Sequence, residues 1–205
     1  MKTISNVLAI GAHPDDIELG CGGSLAKLIE MGVKVRALVL TRGSVGNRAD
    51  HDRLDETKQA LALLGVTDVA TADFPDTRMY EHLAEVIAFI EQHAAEVKPE
   101  RVYTMFGNDQ HQDHRTTFEA TIVACRKAQQ ILCYETPSSW NGFQPQVFEN
   151  IANFIDRKTA ALALHESQRD RYYTQPDAMR AIAVAHGLRV NTGPSEGFIG
   201  YKIIL

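Results

Sequence analysis

The first residues with an evident chemical use are His13-Pro14-Asp15-Asp16, which directly follow an apolar run from Val7 to Ala12. Imidazole and carboxylate are suitable ligands for Zn²⁺, and the three-residue spacing of His13 and Asp16 lets one tight turn direct both at a single ion. Pro14 would stiffen that turn because its ring fixes φ. Asp15 is then available as a base for a bound water, since adjacent carboxylates at a metal can divide into a ligand and a base.

Two other interpretations of this segment are open. Asp15 and Asp16 could cap the N-terminus of a following helix, because Asp is a favoured N-cap residue. Gly20, Gly22 and Gly23 could form a phosphate-binding loop, but they come late after the strand, and two carboxylates stand where a pyrophosphate would bind. Close packing of the first helix on the sheet explains these glycines better.

A second polar cluster, Asn108 to His114, follows the apolar run Arg101–Phe106. It contains His111, Asp113 and His114, which supply one further metal ligand and leave a spare imidazole for catalysis. In an open α/β sheet, ligands bind at the carboxyl ends of the strands, where the strand order reverses. The first and fourth predicted strands are neighbours in that arrangement. The two polar clusters are therefore predicted to face each other across one crevice and to form a metal site.

Apolar runs alternate with amphipathic segments along the chain, which is typical of an α/β fold with a mostly parallel sheet. The predicted strands are residues 7–11, 33–40, 66–72, 101–106, 131–134 and 198–205. The predicted helices are residues 22–30, 52–64, 83–90, 117–128, 151–165 and 177–186. We therefore expect a Rossmann-like three-layer sandwich with helices on both faces of a central sheet. Residues 137–145 contain many turn formers and are predicted to form a long surface loop.

Length and composition favour one ordinary globular domain over residues 1–205. The chain is 44% hydrophobic and 23% charged, without the bias of a disordered or fibrous protein. A net charge of −5 and a pI near 5.9 argue against a nucleic-acid-binding protein. No apolar run approaches the roughly 20 residues of a membrane-spanning helix. Neither nucleic acid nor a membrane span is therefore expected.

The cysteines Cys21, Cys125 and Cys133 are too few for a disulfide framework. They indicate a reducing compartment, so a cytoplasmic location is expected. All three are predicted to pack in the core rather than to bind metal. His165 begins a polar run and is predicted to be exposed.

Together, the two motifs resemble the signature of the PIG-L/LmbE-like de-N-acetylases, a strand followed by His-Pro-Asp-Asp and later by His-x-Asp-His. The resemblance covers nearly the whole chain, and it is supported by Arg53-x-x-Glu56, residues 73–76 and residues 195–198. Members of this family remove acetyl groups from N-acetylglucosamine-type sugars. The resemblance therefore implies a zinc-dependent N-deacetylase, whose partner is a small N-acetylated sugar or glycoconjugate.

The resemblance also implies roles for individual residues. Asp15 would be the general base, His111 would assist the tetrahedral intermediate, and Asp113 would orient a histidine. Arg53 and Asp76 fall where family members contact the sugar. The complete implied set is the metal ligands His13, Asp16 and His114, the catalytic residues Asp15, His111 and Asp113, and the substrate contacts Arg53 and Asp76.

Some properties of the expected site differ from the family or are not specified by it. The implied ligand set of two histidines and one aspartate also accepts Fe²⁺ or Co²⁺. Relatives often assemble into trimers or hexamers, so a homo-oligomer is expected from the resemblance. Many relatives carry Glu and Tyr where this chain has Ser44 and Asp109, and oxyanion stabilisation and sugar contacts are expected to differ accordingly.

The sequence thus predicts a hydrolase in which zinc-bound water attacks the amide carbonyl and either Asp15 or His111 protonates the departing amine. Two alternatives are open. One is an amidase that cleaves glucosamine-based thiol conjugates with the same metal centre. The other is a nonenzymatic sugar- or nucleotide-binding module in which the histidines are structural.

Overall fold

The computed structural model describes residues 4–45 and 53–204, and its central feature is a seven-stranded sheet. The strands are β1 (Asn6–Gly11), β2 (Lys34–Val39), β3 (Asp68–Thr71), β4 (Arg101–Met105), β5 (Gln130–Tyr134), β6 (Val147–Asn150) and β7 (Ser195–Ile203). Their order across the sheet is β3-β2-β1-β4-β5-β7-β6. Strands β1 to β5 pair in parallel, whereas β7 is antiparallel to both of its neighbours. The predicted mostly parallel sheet is confirmed, and β1 lies beside β4 as expected.

Helices cover both faces of this sheet in the described part of the chain. They are α1 (Asp16–Glu30), α2 (Arg53–Leu64), α3 (Leu83–Val97), α4 (Gln112–Ala124), α5 (Ile155–Leu162) and α6 (Pro176–Arg189). Helix α1 contacts α2 and α5, and α5 contacts α6, whereas α3 packs against α4. The three-layer sandwich is therefore confirmed. The fully buried core lies between these layers and includes the interior strands β1, β2 and β4.

Strand β6 is absent from the sequence prediction because it lacks the pattern of an interior strand. Its four residues, Val147 to Asn150, lie at the edge of the sheet and are only partly buried or exposed. Before β6, residues 137–145 are predicted to form a surface loop. Trp140 is 51% exposed, as this prediction requires, but Phe143 is buried, so the prediction is wrong for that side chain. The Phe143 ring packs on Phe106 with 5.5 Å between centroids. An apolar side chain inside a turn-rich segment thus anchors part of it to the core.

Helix α1 begins at Asp16, not at Gly22 as the sequence pattern predicts. Asp16 and Glu18 occupy its first turn, where negative charge interacts favourably with the helix dipole. Asp15 stands at the N-cap position, but its side chain makes no capping hydrogen bond. The capping interpretation of Asp15 is therefore wrong. The phosphate-loop interpretation is also wrong, because Gly20 and its neighbouring glycines lie inside the helix.

Gly20 allows α1 to pack closely against β5. A Cβ atom at Gly20 would lie 2.1 Å from Cδ2 of Tyr134. The Tyr134 ring is fully buried, and its hydroxyl donates a 2.7 Å hydrogen bond to the carbonyl of Ile10. Because this ring has no room to move, the predicted role of the glycine in helix packing is confirmed.

We expect Gly20→Ala to lower the free energy of unfolding. Overpacking typically costs about 1–3 kcal/mol, and alanine recovers roughly 1 kcal/mol of helix propensity. Gly22→Ala is the matched control, because the nearest atom to its Cβ would be Cδ1 of Leu64, at 3.1 Å, a contact that a shift of a few tenths of an ångström in a side-chain end relieves. Urea unfolding curves of both variants check the prediction. Equal stability of the two variants would contradict it.

The three cysteines are unpaired and buried, which confirms their predicted packing. Within residues 4–45 and 53–204, no helix combines the length and the apolar composition needed to cross a membrane.

Candidate metal centre

The two sequence motifs meet at the carboxyl edge of the sheet. Residues 13–16 follow β1, and residues 111–114 lie at the start of α4, after β4. Because β1 and β4 pair in parallel, their ends lie side by side. The ring centroid of His13 lies 4.6 Å from that of His111 and 5.3 Å from that of His114. The predicted crevice, with the two clusters facing each other, is therefore present.

Asp16 lies between two histidines. Its Oδ2 is 3.4 Å from Nδ1 of His13, and its Oδ1 is 3.4 Å from Nε2 of His114. Its Oδ2 also accepts a 2.7 Å hydrogen bond from the backbone N–H of His13, which fixes the carboxylate in the turn. All three residues are buried. Two imidazoles and one carboxylate form a donor set that suits Zn²⁺.

A further carboxylate contacts the other nitrogen of each histidine. Nε2 of His13 lies 3.2 Å from Oδ2 of Asp113, and Nδ1 of His114 lies 3.2 Å from Oδ2 of Asp109. Both aspartates are fully buried. Asp113 also accepts hydrogen bonds from two backbone N–H groups. Carboxylates in such positions orient metal-binding imidazoles. The structure thus pairs Asp113 with His13 and adds Asp109, which the sequence marks only as a departure from the family.

Two sets of three side chains in the described residues bring potential ligand atoms within 4.8 Å of one another. These sets are His13, His111 and His114, and His13, Asp76 and Asp113. Asp16 is in neither set, and its two oxygens contact different histidines. The crevice therefore offers more donors than one zinc ion needs. The ligand set of His13, Asp16 and His114 stays a prediction.

The charges around the crevice favour a bound cation. Burial opposes a charge on both imidazoles, but the surrounding carboxylates raise the pKa of His13 well above its ordinary value and that of His114 to about 9. Burial alone would raise the pKa of Asp16, yet His114 and His13 hold it well below its ordinary range. The cluster thus stabilises positive charge around the two imidazoles. The residues present fit a divalent cation.

Asp15 is buried beside this cluster and has an unusual backbone conformation. Its φ is 103°, in the left-handed half of the Ramachandran plot that residues other than glycine rarely adopt. Strain of this kind concentrates at functional sites. Burial raises the pKa of Asp15 to about 6, although the Arg53 guanidinium, 3.5 Å away, acts to lower it. A carboxylate with a raised pKa is suited to accept a proton near neutral pH.

His111 caps helix α4 with its imidazole. Nδ1 of His111 accepts a 3.2 Å hydrogen bond from the backbone N–H of Asp113. A neutral imidazole that accepts at Nδ1 carries its hydrogen on Nε2. Burial and the neighbouring His13 lower the pKa of His111. His111 is therefore expected to be neutral at pH 7 and to have an Nε2–H group to donate.

The two predicted sugar contacts lie beside the same cluster. Arg53 is buried, and its guanidinium donates hydrogen bonds of 2.7 Å to the carbonyl of Pro14 and 2.8 Å to that of Gly43. Asp76 places Oδ1 at 3.3 Å from Nε2 of His13, and its Oδ2 accepts a hydrogen bond from a backbone N–H. Arg53 thus holds the turn of residues 13–16 in place. Contact of either residue with a sugar stays a prediction.

The family model of PIG-L, the GlcNAc-PI de-N-acetylase, matches residues 8–125, which are more than half of the chain and contain both motifs. This chain belongs to the PIG-L family. The family resemblance indicated by the two motifs is therefore confirmed.

Individual relatives of this PIG-L chain cover most of its length. The uncharacterized deacetylase YaiS of Escherichia coli K12 is 46% identical over a match of 167 residues that covers 78% of this chain and 90% of YaiS. Diacetylchitobiose deacetylase of Thermococcus kodakarensis is 30% identical over 222 residues, covering 95% of this chain and 82% of that enzyme. Among solved structures, the conserved protein TT1542 from Thermus thermophilus has a TM-score of 0.86 at 25% identity, over 98% of this chain and 96% of TT1542.

Residues beyond the PIG-L match also reach the site. Thr136 and Ser138 each donate a 2.6 Å hydrogen bond to the carboxylate of Asp109. The sequence prediction missed both: Ser138 fell in the predicted surface loop of residues 137–145, and Thr136 fell between that loop and the predicted strand of residues 131–134. One signal could have found them: hydroxyl residues follow β5 at the sheet edge where the two motifs meet.

His165 is buried, so the prediction of an exposed side chain is wrong. It is 1% exposed, and its Nε2 lies 3.0 Å from Oε1 of Glu18, which is fully buried. Thr57 donates a hydrogen bond to the same oxygen. A buried carboxylate requires partners, since burial without them is costly. Only the tertiary structure brings His165, 147 residues along the chain, to Glu18.

A cavity of about 390 Å³ adjoins the metal centre on the side of α1, α5 and α6. Its walls include Leu19, Thr136, Tyr173, Met179 and His186. Thr136 also bonds Asp109, so the cavity and the metal centre share a wall. The volume lies in the range of roughly 300–1,000 Å³ that small-molecule sites occupy.

Proposed function

We propose that this chain is a zinc-dependent N-deacetylase that hydrolyses the acetamide of an N-acetylglucosamine-like sugar or glycoconjugate. The observation that carries the proposal is the placement of Asp16 between His13 and His114, with Asp15 buried beside them. Two relatives support the reaction class, because one is named a deacetylase and the other a diacetylchitobiose deacetylase.

His13, Asp16 and His114 would hold the metal, and Asp113 and Asp109 would keep the two imidazoles oriented toward it. Zn²⁺, when bound, supplies a Lewis acid and lowers the pKa of bound water from 15.7 to about 7.

Asp15 is the base in this proposal. With a pKa raised to about 6 by burial, its carboxylate is ionised at pH 7 and can accept a proton from the attacking water. The water oxygen bonds to the carbonyl carbon, and the carbon–nitrogen bond then breaks. Asp15 returns the proton to the amine nitrogen, so the products are the free amine and acetic acid, which ionises to acetate in solution.

His111 stabilises the carbonyl oxygen while negative charge develops on it. The donor is its Nε2–H, because its Nδ1 accepts a hydrogen bond from the backbone N–H of Asp113. A single donor of this kind typically contributes about 10²- to 10³-fold to the rate. Arg53 and Asp76 would contact sugar hydroxyls, and the adjoining cavity gives room for the part of the substrate beyond the acetamide.

Acetate release from a panel of N-acetylated sugars tests this function, with free, nucleotide-linked and lipid-linked N-acetylglucosamine as substrates. We expect release with zinc, loss of release with a chelator, and recovery when Zn²⁺, Fe²⁺ or Co²⁺ is added back. Glucosamine-based thiol conjugates in the same panel test the amidase alternative. Sugar binding without acetate release by the zinc-loaded protein would contradict the proposal and favour a binding module.

A further inference from the structure

We infer that Asp109 is a positioning residue for His114, and that three hydroxyl groups hold Asp109 in place. The residues that carry them, Thr136, Ser138 and Ser139, form a hydroxyl clamp on the segment after β5. The inference rests on the proposed function, because it concerns how tightly His114 binds zinc.

The carboxylate of Asp109 is fully buried and accepts several hydrogen bonds. Ser138 Oγ donates to its Oδ1 at 2.6 Å, and Thr136 Oγ1 donates to its Oδ2 at 2.6 Å. Ser139 Oγ adds a longer bond of 3.3 Å, and the backbone N–H two residues ahead adds one of 2.8 Å. These donors fix the orientation of the carboxylate, whose Oδ2 lies 3.2 Å from Nδ1 of His114.

These contacts select one tautomer of His114. The hydroxyls of Ser138 and Thr136 lie 3.2 and 3.4 Å from Nδ1 of His114, and both donate their hydrogens to Asp109. Asp109 and both hydroxyls are therefore acceptors toward Nδ1, whereas Nε2 faces a single acceptor, Oδ1 of Asp16, at 3.4 Å. In the neutral ring the hydrogen is therefore placed on Nδ1. The lone pair of the neutral imidazole is then on Nε2, the atom that lies 3.4 Å from Asp16. Metal coordination through Nε2 requires this tautomer.

The backbone of the clamp segment is bound to the second motif independently of the Asp109 side chain. The N–H of Gln110 donates to the carbonyl of Ser138 at 2.9 Å, and the N–H of Trp140 donates to the carbonyl of Asn108 at 3.1 Å. Asp109 and Ser139 form an antiparallel bridge. A side-chain substitution at position 109 is therefore expected to leave the segment in place.

A purely structural role for Asp109 would give a different result. Its bond with the backbone N–H of His111 spans two residues, as in an Asx turn that stabilises the local chain. Loss of such a turn would lower stability and leave zinc affinity and the His114 tautomer unchanged.

Zinc affinity, measured by competition with a chromophoric chelator, tests the inference in the full chain. Removing the carboxylate partner of a ligating histidine typically weakens metal binding by about 10- to 100-fold. We expect a loss in this range for Asp109→Asn, a smaller loss for Ser138→Ala, and no change for Asp156→Asn, whose side chain on α5 is 83% exposed. Nitrogen-15 NMR of the metal-free protein, recorded above the raised pKa of His114 of about 9 so that the ring is neutral, should show the Nδ1–H tautomer in the wild type and a mixture in Asp109→Asn.

Unchanged zinc affinity and tautomer in a folded Asp109→Asn variant would overturn the inference, and so would a loss of thermal stability alone. Where Asp109→Asn does not fold, Thr136→Val and Ser138→Ala decide by the same two measurements. Failure of the proposed function would give a different result from failure of this inference, because the wild-type protein itself would then bind no zinc or release no acetate.

Discussion

Replacing Asp15 with asparagine is expected to lower turnover by about 10²- to 10⁴-fold, the usual contribution of a general acid–base group, while zinc stays bound. The amide cannot accept the proton of the attacking water. Asparagine has nearly the same size and is among the residues that tolerate positive φ, so it suits the φ of 103° at this position. The neighbouring Asp16, a proposed ligand, should therefore stay in place. Initial rates and metal analysis of the purified variant check both parts.

The control for Asp15→Asn is Asp156→Asn, the same chemical change at an exposed position on α5. This control should keep the wild-type rate and zinc content. A near-normal rate for Asp15→Asn would show that another group is the base. Loss of zinc together with activity would show that Asp15 acts as a ligand instead.

Replacing His114 with asparagine is expected to remove zinc binding and turnover together. The asparagine amide can still donate to Asp109, as Nδ1 of His114 does at 3.2 Å, but nothing replaces Nε2, which faces Asp16. Alanine is less suitable, because leaving a buried charge without its partner typically costs about 3–5 kcal/mol. Thermal unfolding with and without zinc is the measurement. Zinc at 100 times its Kd should stabilise the wild type by about 2.7 kcal/mol and leave the variant unaffected.

His93→Asn is the control for His114→Asn. His93 lies on α3, and its Nδ1 is 3.3 Å from Nη1 of Arg36. The His93→Asn variant should keep both the zinc-dependent stabilisation and the turnover of the wild type. A zinc-dependent stabilisation of His114→Asn equal to that of the wild type would contradict the assignment of His114 as a ligand.

The second half of the chain contributes to the site although the family match ends at residue 125. Thr136 and Ser138 bond Asp109, and His165 bonds Glu18 in the first turn of α1. Glu196 accepts hydrogen bonds from the backbone N–H groups of Gly23 and Ser24 in the same helix. Helix α1, which begins with Asp16, is thus fixed at two points: through its own Glu18 to His165, and through two of its backbone N–H groups to Glu196.

The sequence by itself predicted the features that follow from local patterns along the chain and from the general rules of α/β sheets. An apolar run followed by His13 and Asp16 at a three-residue spacing indicated a strand, a turn and a metal site. The alternation of strands and helices also predicted that β1 and β4 are neighbours, because parallel α/β sheets place their polar strand ends in one crevice.

Only the tertiary structure decided which distant side chains complete the site. Sequence spacing did not reveal that Asp109 pairs with Thr136 and Ser138, or that Glu18 pairs with His165. The physical reason is that a buried carboxylate must find hydrogen-bond partners, but any polar residue that the fold brings near can supply them. The local pattern therefore predicted which polar side chains meet at the candidate metal centre, and the packing of the chain determined the groups that hold those side chains in position.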